Sequence, residues 1–166
     1  MKIRLAKIND LSQIMDLLAI VIRHMDEKGL EQWPEWYPNK EIIRADITKN
    51  QLFVAEVKEN IIGMITLSPE IPIEYKSVEW KIAATKVNSI HRLASHPDHR
   101  ELQAAHSLMD FTENLARSAA YDCIRLDTYS KNSAANAFYT RIGYHYCGQI
   151  ALEFMPEKYN CYEKAL

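Results

Sequence analysis

A mixed α/β domain, with one central sheet of about six or seven strands flanked by about four helices, is the fold class this chain predicts. Three observations point to it. Apolar residues recur at helical spacing in some stretches and fill strand-like runs in others. The two kinds of stretch follow one another in the order β-α-α-β-β-β-α-β-α-β-β. No linker, repeat or low-complexity block divides the 166 residues, a length suited to a single domain spanning residues 1–166.

Lys2–Ala6 reads as the first strand. Asn9 or Asp10 can cap the helix that follows. Its apolar positions Leu11, Ile14, Leu18, Val21, Ile22 and Met25 keep helical spacing until Gly29 ends it. The stretch EQWPEWYPN holds two prolines and reads as an ordered aromatic loop. A shorter helix is expected over Lys40–Thr48. A hairpin follows, made of Gln51–Val57 and Ile61–Leu67 about the turn KEN. Ser68–Ser77 is interrupted by two prolines. Strand-like residues return between Val78 and Ser95, as one long strand or as two. Leu108, Phe111, Leu115 and Ala119 mark one face of the next helix. Ile124–Tyr129 then reads as a strand, Ser133–Ile142 as a helix, and Tyr144–Glu153 and Tyr159–Leu166 as the strands that close the sheet.

Composition narrows the function classes. Hydrophobic residues make up 48% and charged residues 25%, the balance of a globular protein rather than of a disordered tail. Net charge is −2 and the basic residues are scattered, so no basic face is offered to nucleic acid. No apolar run approaches the ~20 residues that span a bilayer. The opening MKIRLAKIND lacks the apolar centre of a signal peptide, so a cytoplasmic location is expected. Cys123, Cys147 and Cys161 are odd in number and have no CxxC spacing. They read as reduced, buried thiols.

Two motifs carry chemistry. SIHRLASHPDHR and LDTYSKNSAANAFYTRIGY resemble the fourth strand with its turn, and the later strand and helix, of the GNAT superfamily of acyl-CoA-dependent N-acetyltransferases. Weaker similarity covers IIGMITL around Gly63 and the closing YNCYEKAL, so the resemblance spans nearly the whole chain. It implies acetyl-CoA as co-substrate, a small-molecule or peptidyl amine as acceptor, and no metal. A homodimer is left open.

The resemblance implies that backbone groups of Leu93, Ala94 and Ser95 hold the pantetheine arm and the thioester oxygen as it gains charge. A fully paired core strand is the alternative. It also implies a pyrophosphate cradle at a helix N-terminus, over Arg100, Glu101, Leu102, Gln103, Ala104 and Ala105, with His106 beside it. The family pattern expects glycine where Gln103 stands, and this loop contains none. Glu101 places a carboxylate where an anion should dock, or it simply stabilises its own helix. Asn132 and Phe138 match positions that contact CoA. Tyr139, of the pattern FYTRIG ending at Gly143, matches the tyrosine that serves the departing sulfur.

The chemistry fits that residue. A phenol with a pKa near 10 stays protonated at neutral pH and can donate to a thiolate. An amphipathic-helix tyrosine with its hydroxyl at the surface is the alternative. Glu79 and His91 are candidates for the base, or else a solvated strand glutamate and a structural histidine. Trp33, Trp36 and Tyr37 either border the acceptor or cap the core. His96, Asp98 and His99 invite a metal reading, but a Pro-Asp turn accounts for them without one. The rival to an enzyme is a binding module of the same fold without turnover, favoured by Glu101 and Gln103.

Overall fold

The computed structural model describes every residue except Phe154. Seven strands and four α-helices follow in the order β1 (Lys2–Leu5), α1 (Leu11–Asp26), α2 (Lys40–Thr48), β2 (Leu52–Val57), β3 (Asn60–Ser68), β4 (Val87–Ser95), α3 (Ala104–Ser118), β5 (Cys123–Tyr129), α4 (Ser133–Arg141), β6 (His145–Ala151) and β7 (Lys158–Ala165). Short 3-10 segments lie at Ile8–Asp10, Ile73–Ser77 and Pro97–Leu102. The strands form one mixed sheet in the order β1-β2-β3-β4-β5-β7-β6. The strand nearest each terminus therefore belongs to the same sheet, and β3 and β4 are neighbours at its centre, as the apolar runs suggest. The chain gathers into two compact units, Met1–Leu67 with Arg92–Thr112, and Ser68–His91 with Glu113–Leu166.

In the first unit, β1 and β2 are antiparallel, and β2 turns into β3 through Lys58 and Glu59. Both turn residues have positive φ, 49° and 68°, the combination a two-residue type I′ hairpin demands. The core joins Leu11, Ile14, Leu17 and Leu18 of α1, Ile43 and Ile47 of α2, and Leu52, Val54, Ile61 and Met64 of the hairpin. Each fully buried aliphatic side chain contributes roughly 1.5–3 kcal/mol. Asp10 precedes α1 but does not cap it with its side chain. The carboxylate instead accepts from Lys7 N–H at 2.6 Å and pairs with Arg4, which holds it below the usual carboxylate range.

In the second unit, β5 runs parallel to β4 over Val87–Ile90 and antiparallel to β7, and β6 is antiparallel to β7. A cluster of Tyr75, Val78, Tyr129, Ile150, Tyr159 and Cys161 lies here, with Trp80 packed against it.

Two expectations are corrected. The run from Val78 to Ser95 becomes strand only at Val87. Ahead of it, carboxylates stand in for a ladder partner. Glu163 accepts from Lys81 and Ile82 N–H at 2.6 and 3.0 Å, and Asp122 accepts from Thr85 and Lys86 N–H at 2.7 and 2.8 Å. On α3 the buried residues are Ala104, Leu108, Met109, Thr112, Glu113 and Ala116, while Leu115 is exposed and Phe111 only half-buried. Polar residues can lie on that face because each is answered: Thr112 donates to Leu108 O at 2.9 Å, and Glu113 pairs with Lys164 at 2.6 Å.

Two features fix β3 and β4 in the first unit. A Cβ on Gly63 would stand 3.0 Å from Leu108 Cδ1 and 3.3 Å from Ala104 Cβ and Ala94 O, so α3 approaches β3 over a glycine. Arg92 interrupts β4 with a φ of +52°, which turns the strand locally. Its guanidinium reaches Asp46 Oδ2 at 2.5 Å and donates to Tyr37 Oη at 2.8 Å, and Asp46 also accepts from Thr66 Oγ1 at 2.9 Å. The left-handed residue and the aromatic loop are thereby tied to α2 and β3. Two stability changes are expected in denaturant titrations. Gly63→Val should lower stability by about 1–3 kcal/mol through overpacking. Arg92→Ala should cost on the order of 3 kcal/mol, because it strands the buried Asp46 carboxylate.

Candidate active site

The turn after β4 is built residue by residue from HPDHREL. His96 N–H donates to Ile62 O at 2.8 Å, which fastens the strand's end, and its Nδ1 accepts from Asp98 N–H at 3.2 Å. Pro97 sits in the first turn of a 3-10 segment, where its missing N–H costs nothing. Gln103 then takes the left-handed conformation (φ 49°, ψ 38°), and α3 opens at Ala104. This is the position where the resemblance expects glycine. The backbone makes the glycine's turn with a side chain present, which costs of order 1–2 kcal/mol.

The opening turn of α3 runs through Ala104, Ala105 and His106, ahead of the helix's own ladder of backbone bonds. Ser107 N–H, the next, bonds Gln103 O at 3.1 Å. The amides and the positive end of a 15-residue helix suit a phosphate. Ala104 is buried, Leu102 and Ala105 are half-buried, and Arg100 and His106 are exposed. Arg100 Nη2 lies 2.8 Å from His24 Nε2, so α1's last turn adds a second basic group. Glu101 is exposed and 3.7 Å from His99 Nδ1, an arrangement that draws its charge toward that ring. His96 and His99 stack at 4.8 Å. Among the described residues, no group of three or more His, Cys, Asp or Glu is placed to hold a metal ion. Leu93, Ala94 and Ser95 follow Arg92 on β4, with Ala94 buried in the first unit's core.

In the second unit, β5 leads through a short turn into α4. Asn132 stands one residue ahead of the helix as its cap, its Oδ1 accepting from Ala135 N–H at 3.0 Å. Asn132 and Tyr139 therefore relate as a cap and a helix residue rather than as two positions along one helical face. Asn136, passed over in the sequence, does the pinning. Its amide donates to Tyr129 O at 3.0 Å and Asn132 O at 2.7 Å, and its carbonyl accepts from Asn160 and Tyr162 at 2.7 Å each.

One turn on, Tyr139 is buried, its ring 6.0 Å from those of Tyr144 and Tyr162 and 5.4 Å from the half-buried Phe138. This removes the reading of a surface tyrosine. Burial, and then the charge of Asp127, push its hydroxyl well above the ordinary tyrosine value, so it is a proton donor throughout the physiological range. The helix ends at Arg141, and Gly143 just beyond its cap has a φ of +91°, which suits glycine at the closing turn.

The base candidates fare differently. Glu79 is exposed and lies in the irregular segment before β4, not on a strand. His91 is half-buried on β4 with Nε2 2.7 Å from Ser89 Oγ. Ser89 Oγ also lies 2.7 Å from Glu70 O, so the side chain that holds His91 is itself tied to the backbone. Asp127, on β5, was missed. It accepts from Tyr75 Oη at 2.7 Å, and burial pushes its carboxyl up to about 6. The available signal was an acid inside the apolar strand run CIRLDTY. Of the aromatic loop, Trp33 packs against the first unit's core, Tyr37 is bound to Arg92, and Trp36 is exposed.

The chain is similar to several known proteins. The curated relative "Uncharacterized N-acetyltransferase YesJ" of Bacillus subtilis (strain 168) is 24% identical over 160 residues, 95% of this chain and 86% of that protein. A GNAT-family acetyltransferase from Streptococcus agalactiae 2603 shares the fold with a TM-score of 0.83 at 23% identity, over 99% of this chain and 95% of the other. The PaiA N-acetyltransferase of Thermoplasma acidophilum, solved in complex with coenzyme A, does so with a TM-score of 0.74 at 18% identity, over 99% and 98%. The sequence pattern of the Acetyltransferase (GNAT) family matches residues 18–144, and on that match over most of its length this chain belongs to the GNAT acetyltransferase family.

Proposed function

We propose that residues 1–166 act as one domain that transfers an acetyl group from acetyl-CoA to a primary amine of a small molecule or peptide, by direct attack of the amine on the thioester. The observation that carries this is Tyr139. It is a buried phenol, held in its protonated form one helical turn beyond an asparagine that pins α4 to the end of β5. A transferase needs a proton donor for the departing thiolate, and a binding module has no use for one.

The residues of the turn after β4 fit the donor. The amides opening α3, with Arg100 and His24, suit the pyrophosphate, and the backbone of Leu93, Ala94 and Ser95 is assigned to the pantetheine arm and the carbonyl oxygen. The Thermoplasma relative, solved with coenzyme A, supports the same donor. Tyr139 gives its proton to the sulfur as the C–S bond breaks, and a base takes the proton that the amine sheds as the C–N bond forms. Asn132 and Phe138 flank the donor's path in this reading. The protein would work in the cytoplasm.

The rival reading, a module that binds a CoA thioester without turning it over, draws on Gln103 and Glu101. The first places a side chain at the left-handed residue of the cradle, and the second adds a negative charge beside it.

Two outcomes are expected. Calorimetric titration with acetyl-CoA should show binding to the parent. Tyr139→Phe should then lower turnover by at least tenfold while leaving that affinity within a few-fold, because its hydroxyl acts mainly in the transition state. Full activity of the variant across pH would remove Tyr139 from the acid's role. Gln103→Gly should tighten acetyl-CoA binding by roughly tenfold or more, as one charge-assisted hydrogen bond is recovered at about 1.5–3 kcal/mol. Unchanged affinity would mean that the glycine-free turn is no handicap and would take away the rival's main support.

A further inference from the structure

The geometry points to Asp127 as the base of this reaction, set in place by Tyr75 and paired in its work with Tyr139. The inference rests on the acyl-transfer reading and adds the residue that this reading lacks. Asp127 sits on β5 opposite Cys161 of β7, in the stretch that leads into α4. Asn136 ties the start of α4 to Tyr129 and Ser130 at the end of that strand, and Tyr139 follows one turn later on the same helix. The two groups are close enough for the carboxylate's charge to act on the phenol.

The other candidates are otherwise engaged. His91 is bound to Ser89, and Glu79 lies exposed before β4. Asp127 accepts from the hydroxyl of Tyr75, whose ring packs 5.2 Å from Trp80 and whose carbonyl holds the Trp80 indole at 2.9 Å. Tyr75 is fully buried, so the phenol that orients the carboxylate is itself fixed. A carboxylate has four lone-pair sites, and a single phenol leaves acceptor capacity for an amine proton.

The groups facing Asp127 set its titration. Tyr75 favours the ionised form through its hydrogen bond, and Glu74 on the same segment opposes it. Tyr139 on α4 and Cys161 on β7 are both neutral at pH 7, their protons held by burial and by the aspartate's charge. Burial is the largest influence, and the carboxyl is poised near 6, ionised at neutral pH yet basic enough to accept a proton.

The step balances. A neutral amine attacks the carbonyl carbon, and Asp127 takes the proton that nitrogen loses as the C–N bond forms. The C–S bond breaks, and the thiolate takes the proton of Tyr139. The proton on Asp127 then restores Tyr139, and no net proton enters or leaves.

The test is the pH dependence of kcat/KM, read as thiol release from acetyl-CoA with a panel of primary amines: an alkyl diamine, an amino sugar and a peptide with a free N-terminus. The parent should lose activity below an apparent pKa near 6, where Asp127 becomes protonated. Asp127→Asn should lower kcat/KM at pH 7.5 by roughly 100-fold or more and abolish that limb, with acetyl-CoA affinity within a few-fold. Tyr75→Phe keeps the carboxylate and removes a hydrogen bond to its ionised form, so the limb should move to higher pH. The amine's own ionisation gives a separate limb, about pH 10 for the alkyl diamine and about pH 8 for the peptide N-terminus, in parent and variants alike. If Asp127→Asn retains both rate and limb, or if Tyr75→Phe leaves the limb in place, Asp127 is not the base. If the parent releases no thiol with any amine, the acyl-transfer reading fails and the assignment fails with it. Thermal unfolding of each variant separates loss of fold from loss of the base, and an unfolded Asp127→Asn leaves Tyr75→Phe to decide.

Discussion

Buried backbone groups must have hydrogen-bond partners, and the parts of this chain that matter for chemistry are those where the sheet's own ladders stop supplying them. At each such place a polar side chain takes over. Asn136 answers the carbonyls at the end of β5 and the start of α4. Glu163 and Asp122 answer the amides of the irregular stretch before β4. The proposed pyrophosphate site lies at another break in the ladders, the opening turn of α3. Fixing a segment by a side chain costs more in desolvation than fixing it by a ladder. It also allows the backbone to leave strand geometry at a chosen residue.

Left-handed residues mark two of these departures. Arg92 turns β4 and Gln103 turns the chain into α3, both with a Cβ present. Such conformations persist only where the surroundings over-determine them. For Arg92 the determinant is visible, an ion pair to Asp46 with Tyr37 and Thr66 around it. For Gln103 it is the 3-10 turn before it and the helix after it, with its own N–H bonded to Arg100 O at 3.1 Å.

In the proposed reaction the proton chemistry divides between Tyr139 and Asp127, whose environments push them in useful directions. A phenol made harder to ionise remains an acid at neutral pH, and a carboxyl raised to about 6 remains a base there. Both shifts begin with burial, and the charge of Asp127 adds to the shift of the phenol. The aromatic side chains Tyr75, Trp80, Tyr144 and Tyr162 are thus part of the electrostatics as well as of the packing.

The order of strands and helices was legible in the sequence, because periodicity reports which residues must be buried and the prolines and glycines report where the chain must turn. The Lys40–Thr48 helix has the bounds expected for it, and the hairpin differs from its expected bounds by a residue at a few ends. Family membership was legible too, since FYTRIG and HPDHR are local patterns. Other things were decided only by residues distant in sequence. Nothing near Val78 says that Glu163 will hold the segment after it out of a strand, and nothing near Phe111 says that Lys164 will let Glu113 be buried beside it. Asp127 looked like one more strand residue until Tyr75, 52 positions earlier, was found on its carboxylate. Local sequence fixes what each segment can be. The titration of a side chain depends on which neighbours exclude water from it and which bond it, and only the folded chain brings those neighbours together.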